Sequence, residues 1–212
     1  VAVDHCEARE PVERSDVREP ELADLVDPGE PGENGHSTVM VDLTQSPEDF
    51  RANMEGRWRN RLAAAEKAAL NIVRTGANPG QYRWLLDEER TQRASRGFHG
   101  LPVEFVEAYI HARAQTTKTA LVMRADQGKD KVAAMLFLVH GRRATYHMGW
   151  ANDAGREANA HNLLMWRAML ELPQAQVRWL DTGGVNTHDL AGISRFKLGA
   201  GGQVLTLPGT FF

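Results

Sequence analysis

Two short stretches hold residue types that could do chemistry. Arg195-Phe196-Lys197, flanked by Gly192 and Gly199, sets two cations around an aromatic ring in consecutive positions. Upstream, Asp181-Thr182-Gly183-Gly184 sets a carboxylate beside paired glycines, which reach backbone conformations that other residues resist. An aromatic and two cations among glycines are unusual for an element that only fills a core. A cation held beside a ring is equipped to meet negative charge on a ligand. Asp181 has two readings, a proton acceptor or a cap for the Gly183-Gly184 turn, and capping is the more ordinary use.

Two further groups could hold an anion. Asn159 and Asn162 lie near the start of an amphipathic helix, Asn159 to Leu170, whose amino end offers unpaired N–H groups and partial positive charge. The preceding polar loop, 151–158, contains one glycine, so the multi-glycine nest that cradles a pyrophosphate is missing and the nucleotide signal is weak. A second helix opens at Ser46-Pro47-Glu48-Asp49, with a cap, a first-turn proline and acidic groups facing the positive end of the dipole. It is expected to run to about Leu70, burying Phe50, Met54, Trp58 and Leu62. Its other faces carry Arg51, Arg57, Arg59, Arg61 and Lys67, which could grip phosphate but more ordinarily keep a helix wet.

These residues need a frame. Strand Ala144 to Trp150, the helix Asn159 to Leu170 and strand Val177 to Leu180 form a βαβ unit, with Trp150, Asp181 and the loop ending at Lys197 at the carboxyl ends where such sheets place ligands. Thr119 to Arg124, Lys131 to His140 and Ala144 to Trp150 read as an antiparallel meander, with the apolar run Val132 to Val139 central and covered on both faces. Shorter strands are expected at Ser37 to Leu43, Asn71 to Thr75 and Gln203 to Leu207, and helices at Tyr82 to Ala94 and Pro102 to Ala114. The fold class is α/β (α+β), a mixed, largely antiparallel sheet flanked by helices. His99 and His111 read as surface or partly buried histidines.

The 212 residues, 42% hydrophobic and 25% charged, allow one sizeable core. No apolar run approaches the roughly 20 residues needed to cross a bilayer. No basic-then-apolar leader pattern is present, so the expected location is the cytoplasm. The single Cys6 excludes an internal disulfide and a cysteine metal cluster; with His5 it reads as incidental, and no metal is expected. Residues 1–36 carry eleven acidic residues, three arginines and four prolines and read as an acidic tail or linker before a domain at 37–212, in a chain shorter at its amino end than its relatives. The rest has 22 basic and 17 acidic residues, which favours a phosphate-bearing ligand such as a nucleotide or an RNA end; a solvated surface of mixed charge is the other reading.

Ala144 to Phe211, with Tyr146-x-x-Gly149, the helix segment Asn162 to Trp166, Asp181-x-Gly183-Gly184 and Gly192-x-x-x-Phe196-Lys197-x-Gly199-x-Gly201-Gly202, resembles the C-terminal half of the FemABX proteins. Thr38 to Val73, with Trp58-Arg59-Asn60-Arg61-Leu62, resembles the segment opening that half. The resemblance implies an acyl-CoA N-acyltransferase (GNAT)-like fold. It also implies transfer of an acyl or aminoacyl group from aminoacyl-tRNA or acyl-CoA to an amine, in the family a peptidoglycan precursor, with no tightly bound cofactor. By that pattern Phe196 and Lys197 match the pair associated with the acyl-RNA end. A fixed ammonium stabilises the oxyanion formed when an amine attacks an ester, and an aromatic face stacks on a base. With the reading of the residues themselves added, Phe196, Arg195, Gly183, Gly184, Asn159, Asn162, Arg59, Asn60 and Trp150 are the expected substrate-binding residues, with Lys197 and Asp181 catalytic. The absence of an Arg/Gln-x-x-Gly-x-Gly/Ala loop favours the tRNA donor. The chain is too short for the family's two lobes. A noncatalytic module binding tRNA, cell-wall precursor or a protein partner is the alternative reading, and oligomeric state is not legible.

Overall fold

The computed structural model describes residues 36–97, 101–113, 118–185 and 191–207. The acidic segment, apart from His36, lies outside these, as do His5, Cys6 and His99. In chain order the elements are β1 (His36–Asp42), α1 (Pro47–Asn53), α2 (Gly56–Lys67), β2 (Asn71–Thr75), α3 (Pro79–Arg96), α4 (Phe105–His111), β3 (Ala120–Gln127), β4 (Asp130–His140), β5 (Arg143–Ala151), α5 (Asp153–Glu157), α6 (Ala160–Glu171), a 3-10 turn (Leu172–Ala175), β6 (Trp179–Gly184), α7 (Ala191–Leu198) and β7 (Gln203–Leu207).

The sheet has seven strands in the order β2-β3-β4-β5-β6-β1-β7, antiparallel everywhere except between β5 and β6. The meander forms as its turns dictate, with Gly128 and Gly141 supplying the positive φ of the two tight connections. β4 is buried at every position from Val132 to Val139 because helices cover both its faces. On one face Phe50, Trp58, Leu62, Leu164, Met165 and Met169 pack on Met135 and Phe137. On the other, Tyr82, Leu85, Val106 and Ile110 pack on Val122, Leu136 and Met148.

Six expectations need correction. The helix expected from Ser46 to Leu70 is two, because Met54 turns extended (ψ 146°) and the Glu55 N–H donates to the Gly199 carbonyl at 3.1 Å. Gly201, at φ +89°, lies so close that a Cβ on it would sit 3.0 Å from the Asn53 carbonyl carbon; the C-terminal segment wedges the helix open. The polar loop after β5 contains α5, capped by the Asn152 side chain on the Gly155 N–H. Asp181 to Gly184 continues β6 instead of following it. The stretch read as a loop ending at Lys197 carries that lysine on α7. The Asn78-Pro79-Gly80 turn starts α3, which is longer than expected, and α4 is shorter, beginning at Phe105.

Candidate active site

β5 and β6 pair over three residues each, Arg143 to Thr145 with Trp179 to Asp181, and then separate. Both strands bulge where they part. On β5, Tyr146 and Met148 face adjacent residues of β4, Phe137 and Leu136, which makes His147 the extra residue. On β6 the register against β1 slips between Asp181 and Gly184, and Gly183 takes φ +82°. A bulge ends pairing and re-aims the strand, so two of them at one level open the sheet there. The Asp181 carboxylate holds the β6 bulge in shape: Oδ1 accepts from the Gly183 N–H at 2.7 Å and from the Thr38 hydroxyl.

α7 lays Lys197 against this opening. Its Nζ donates to the Gly184 carbonyl at 2.7 Å, and a Cβ on Gly183 would come within 3.2 Å of it. That is its one hydrogen bond among the described residues, and an ammonium has three N–H donors. Two remain for a ligand. The half-buried position removes water from the charge and draws the Lys197 pKa below its ordinary 10.5, with the Asp181 carboxylate opposing.

Phe196 is pinned rather than free. Its ring lies 5.9 Å from Trp58 and 6.3 Å from His161, and Trp58 Nε1 donates to its carbonyl at 3.0 Å. His161 Nε2 sits 3.0 Å from the Trp150 carbonyl, and burial lowers the imidazole's pKa, keeping it neutral. Tyr146 stands on the β5 side of the opening, its ring 5.6 Å from that of Phe137. Its ring lies along the strand because Gly149 has no side chain; a Cβ there would collide with the hydroxyl. Enclosure first, then the Glu89 carboxylate, push the Tyr146 pKa up, so the phenol stays protonated.

The remaining sequence candidates fall at different places. Arg195 is exposed and lines a groove of about 540 Å³ with Glu55, Ser194 and Leu198. Arg59 is occupied: its guanidinium closes the end of α1 through the carbonyls of Ala52 at 3.0 Å and Met54 at 2.7 Å. Asn60 is exposed on α2. Asn159 stands before α6 with φ +51°, its amide turned to the Glu157 carbonyl instead of capping. Asn162 is 5% exposed, and its Nδ2 finds no partner among the described residues. The Trp150 ring packs edge-to-face with Trp84 in the layer away from Phe196, so only its backbone reaches the site side, through His161. His161 and Tyr146 were not foreseen as site residues. The Tyr146-x-x-Gly149 spacing was the visible signal for the tyrosine; nothing marked the histidine.

A mixed sheet parted between its two parallel strands is the frame of an acyltransferase of the GNAT class. Residues 49–198 match the model of the acetyltransferase (GNAT) domain, and the chain belongs to that family. No curated protein matches it in sequence. Among solved structures it is similar to FemX, with TM-score 0.65 and 11% identity over 79% of this chain and 59% of that one. It is also similar to a conserved protein of unknown function from Bacteroides thetaiotaomicron, with TM-score 0.56 and 11% identity over 78% of this chain and 55% of that one. The chain thus spans less than two thirds of either, and at such identity the likeness is one of fold. No described helix is long and apolar enough to cross a membrane.

Proposed function

We propose that the chain is the acyl-transferring lobe of an N-acyltransferase of the FemABX type. An amine attacks the carbonyl of an activated acyl ester or thioester, and negative charge collects on the carbonyl oxygen. Lys197, tethered to Gly184 with two N–H groups to spare, is the cation that meets it. That observation carries the reading. Phe196, wedged by Trp58 and His161, fixes the turn of α7 that aims the ammonium. The Tyr146 phenol is the neutral group available to pass a proton to the leaving oxygen or sulfur while taking up the one the attacking amine gives up. Asp181 shapes the bulge, and its part as a proton acceptor is secondary because Oδ1 already takes two hydrogen bonds.

The donor in this reading is aminoacyl-tRNA, supported by the Phe-Lys pair and the missing multi-glycine loop; acyl-CoA is the donor of ordinary GNAT enzymes. The acceptor is an amine, with a peptidoglycan precursor as the class that FemABX enzymes use, in the cytoplasm. Incubating the chain separately with charged tRNA and with acetyl-CoA, and following both thermal protection and transfer to an amine, tests this. Transfer from charged tRNA that Lys197→Ala abolishes while donor protection persists supports it. Protection without transfer in the unaltered chain overturns the enzyme in favour of a binding module.

A further inference from the structure

At the end of the sheet opposite Lys197, four cations stand without an ion pair among the described residues. β4 ends there at His140, and β5 and β6 both begin there, at Arg143 and Trp179. Lys197 touches Gly184 at the far end of β6, roughly 16 Å away at about 3.3 Å per strand residue. Arg113 and Lys118, with Thr119, Val139, Gly141 and Gln176, line a cleft of about 510 Å³. That is the size of a small-ligand pocket. Arg143 follows across the tight turn at Gly141, φ +62°. The Arg178 N–H donates to the Arg142 carbonyl at 2.7 Å, which draws Arg178 to the same rim.

The charges are oriented but not neutralised. The Arg113 guanidinium lies 5.4 Å over the Tyr109 ring and that of Arg178 lies 5.3 Å over Trp179, contacts that leave their N–H edges open. None of Arg113, Lys118, Arg143 and Arg178 has an ion pair among the described residues, whereas seven arginines elsewhere, Arg74 and Arg124 among them, each hold a carboxylate. His140, bonded through Nε2 to the Thr145 hydroxyl at 2.9 Å, registers the field. Burial and then Arg113 and Arg143 hold its pKa below the ordinary 6.5, against the pull of Asp181. On the β1 side Asp42, opposite Trp179 and turned to the Thr44 hydroxyl, ends the basic run.

We propose that this cleft is a second site, built to bind the phosphate or diphosphate group of a small phosphorylated ligand through Arg113, Lys118 and Arg143. Arg113, held on the Tyr109 ring, presents a planar fork that suits phosphate oxygens, Arg143 offers a second guanidinium, and Lys118 adds a mobile point charge. The site shares no residue with the reaction centre and does not depend on the acyl-transfer reading.

The test titrates the full chain with inorganic pyrophosphate by calorimetry, with the His140 ring signals followed by NMR. Saturable binding is expected, with the His140 midpoint moving up as the bound anion offsets the cations. Arg113→Ala with Arg143→Ala weakens binding by at least about tenfold, as removal of two charge-assisted contacts should. Lys118→Ala, at an exposed side chain, weakens it in the same direction, and Lys197→Ala leaves it unchanged. Non-saturable binding, a still His140 signal or equal affinity in the double variant overturns the site. So does a short single-stranded RNA that binds these residues and is not displaced by pyrophosphate, which would make the surface one for polynucleotides.

Discussion

Lys197 and the cations of α2 carry the same formal charge in opposite surroundings. Arg57, Arg61 and Lys67 point into solvent on a helix whose inward face, Trp58, Leu62 and Ala65, does the packing. Lys197 is half-buried, tied to one carbonyl at 2.7 Å and short of water. A charge in bulk solvent is screened and its side chain pays entropy to settle on a ligand. A charge fixed where water is thin has met that cost during folding and acts through a lower effective dielectric. Basic residues are thus common on this protein, while a preorganised one is found where two bulged strands separate.

The comparison breaks most sharply on Lys197 itself. Lys197→Ala should lower kcat by about 10²–10³-fold, the usual cost of removing one oxyanion donor, with little change in KM or in thermal midpoint. A large KM effect at unchanged kcat would place the lysine in ground-state binding, alongside the α2 cations. Gly183→Ala comes next. It forces a left-handed φ of +82° on a residue with a Cβ and brings that carbon to 3.2 Å from Nζ. About 1–2 kcal/mol of stability should be lost by chemical denaturation, together with turnover, if the bulge positions the ammonium. Trp58→Phe sharpens the account further: it keeps the ring against Phe196 and removes the Nε1 bond to the Phe196 carbonyl, for about 1 kcal/mol in stability and a modest fall in kcat. The smallest effect belongs to Arg57→Ala with Arg61→Ala, which should leave stability within about 0.5 kcal/mol and turnover unchanged.

Much of the frame was legible because its signals are local. Gly141 between two apolar runs dictates a hairpin, Ser46-Pro47 starts a helix, and Val132 to Val139 has no polar face to turn outward. Of the candidate site, the sequence offered residues but not their geometry. A bulge breaks the two-residue period that strand reading relies on, so Tyr146 and His147 could not be assigned to faces. The division of α1 from α2 comes from Gly199 and Gly201, far along the chain, which no window around Met54 contains. α7 looked like a loop because Gly192 lies in its first turn, Gly199 follows it and few of its side chains face inward, Ser194 and Phe196 chief among them. His161 resembles any polar residue on an amphipathic helix until the Trp150 carbonyl and Phe196 close around it.

The pH dependence of kcat on the alkaline side tests the central claim most directly. The folded Lys197 holds its proton less tightly than the unfolded chain, so stability rises with pH between the depressed value and the ordinary 10.5. Oxyanion stabilisation needs the proton and moves the opposite way. Turnover should therefore fall with a single limb centred below 10.5, the range in which Lys197 itself adds to stability, and Lys197→Arg, which stays charged, should lose that limb whatever its absolute rate. An alkaline limb that persists in Lys197→Arg, or no limb below 10.5 in the parent chain, would contradict the account.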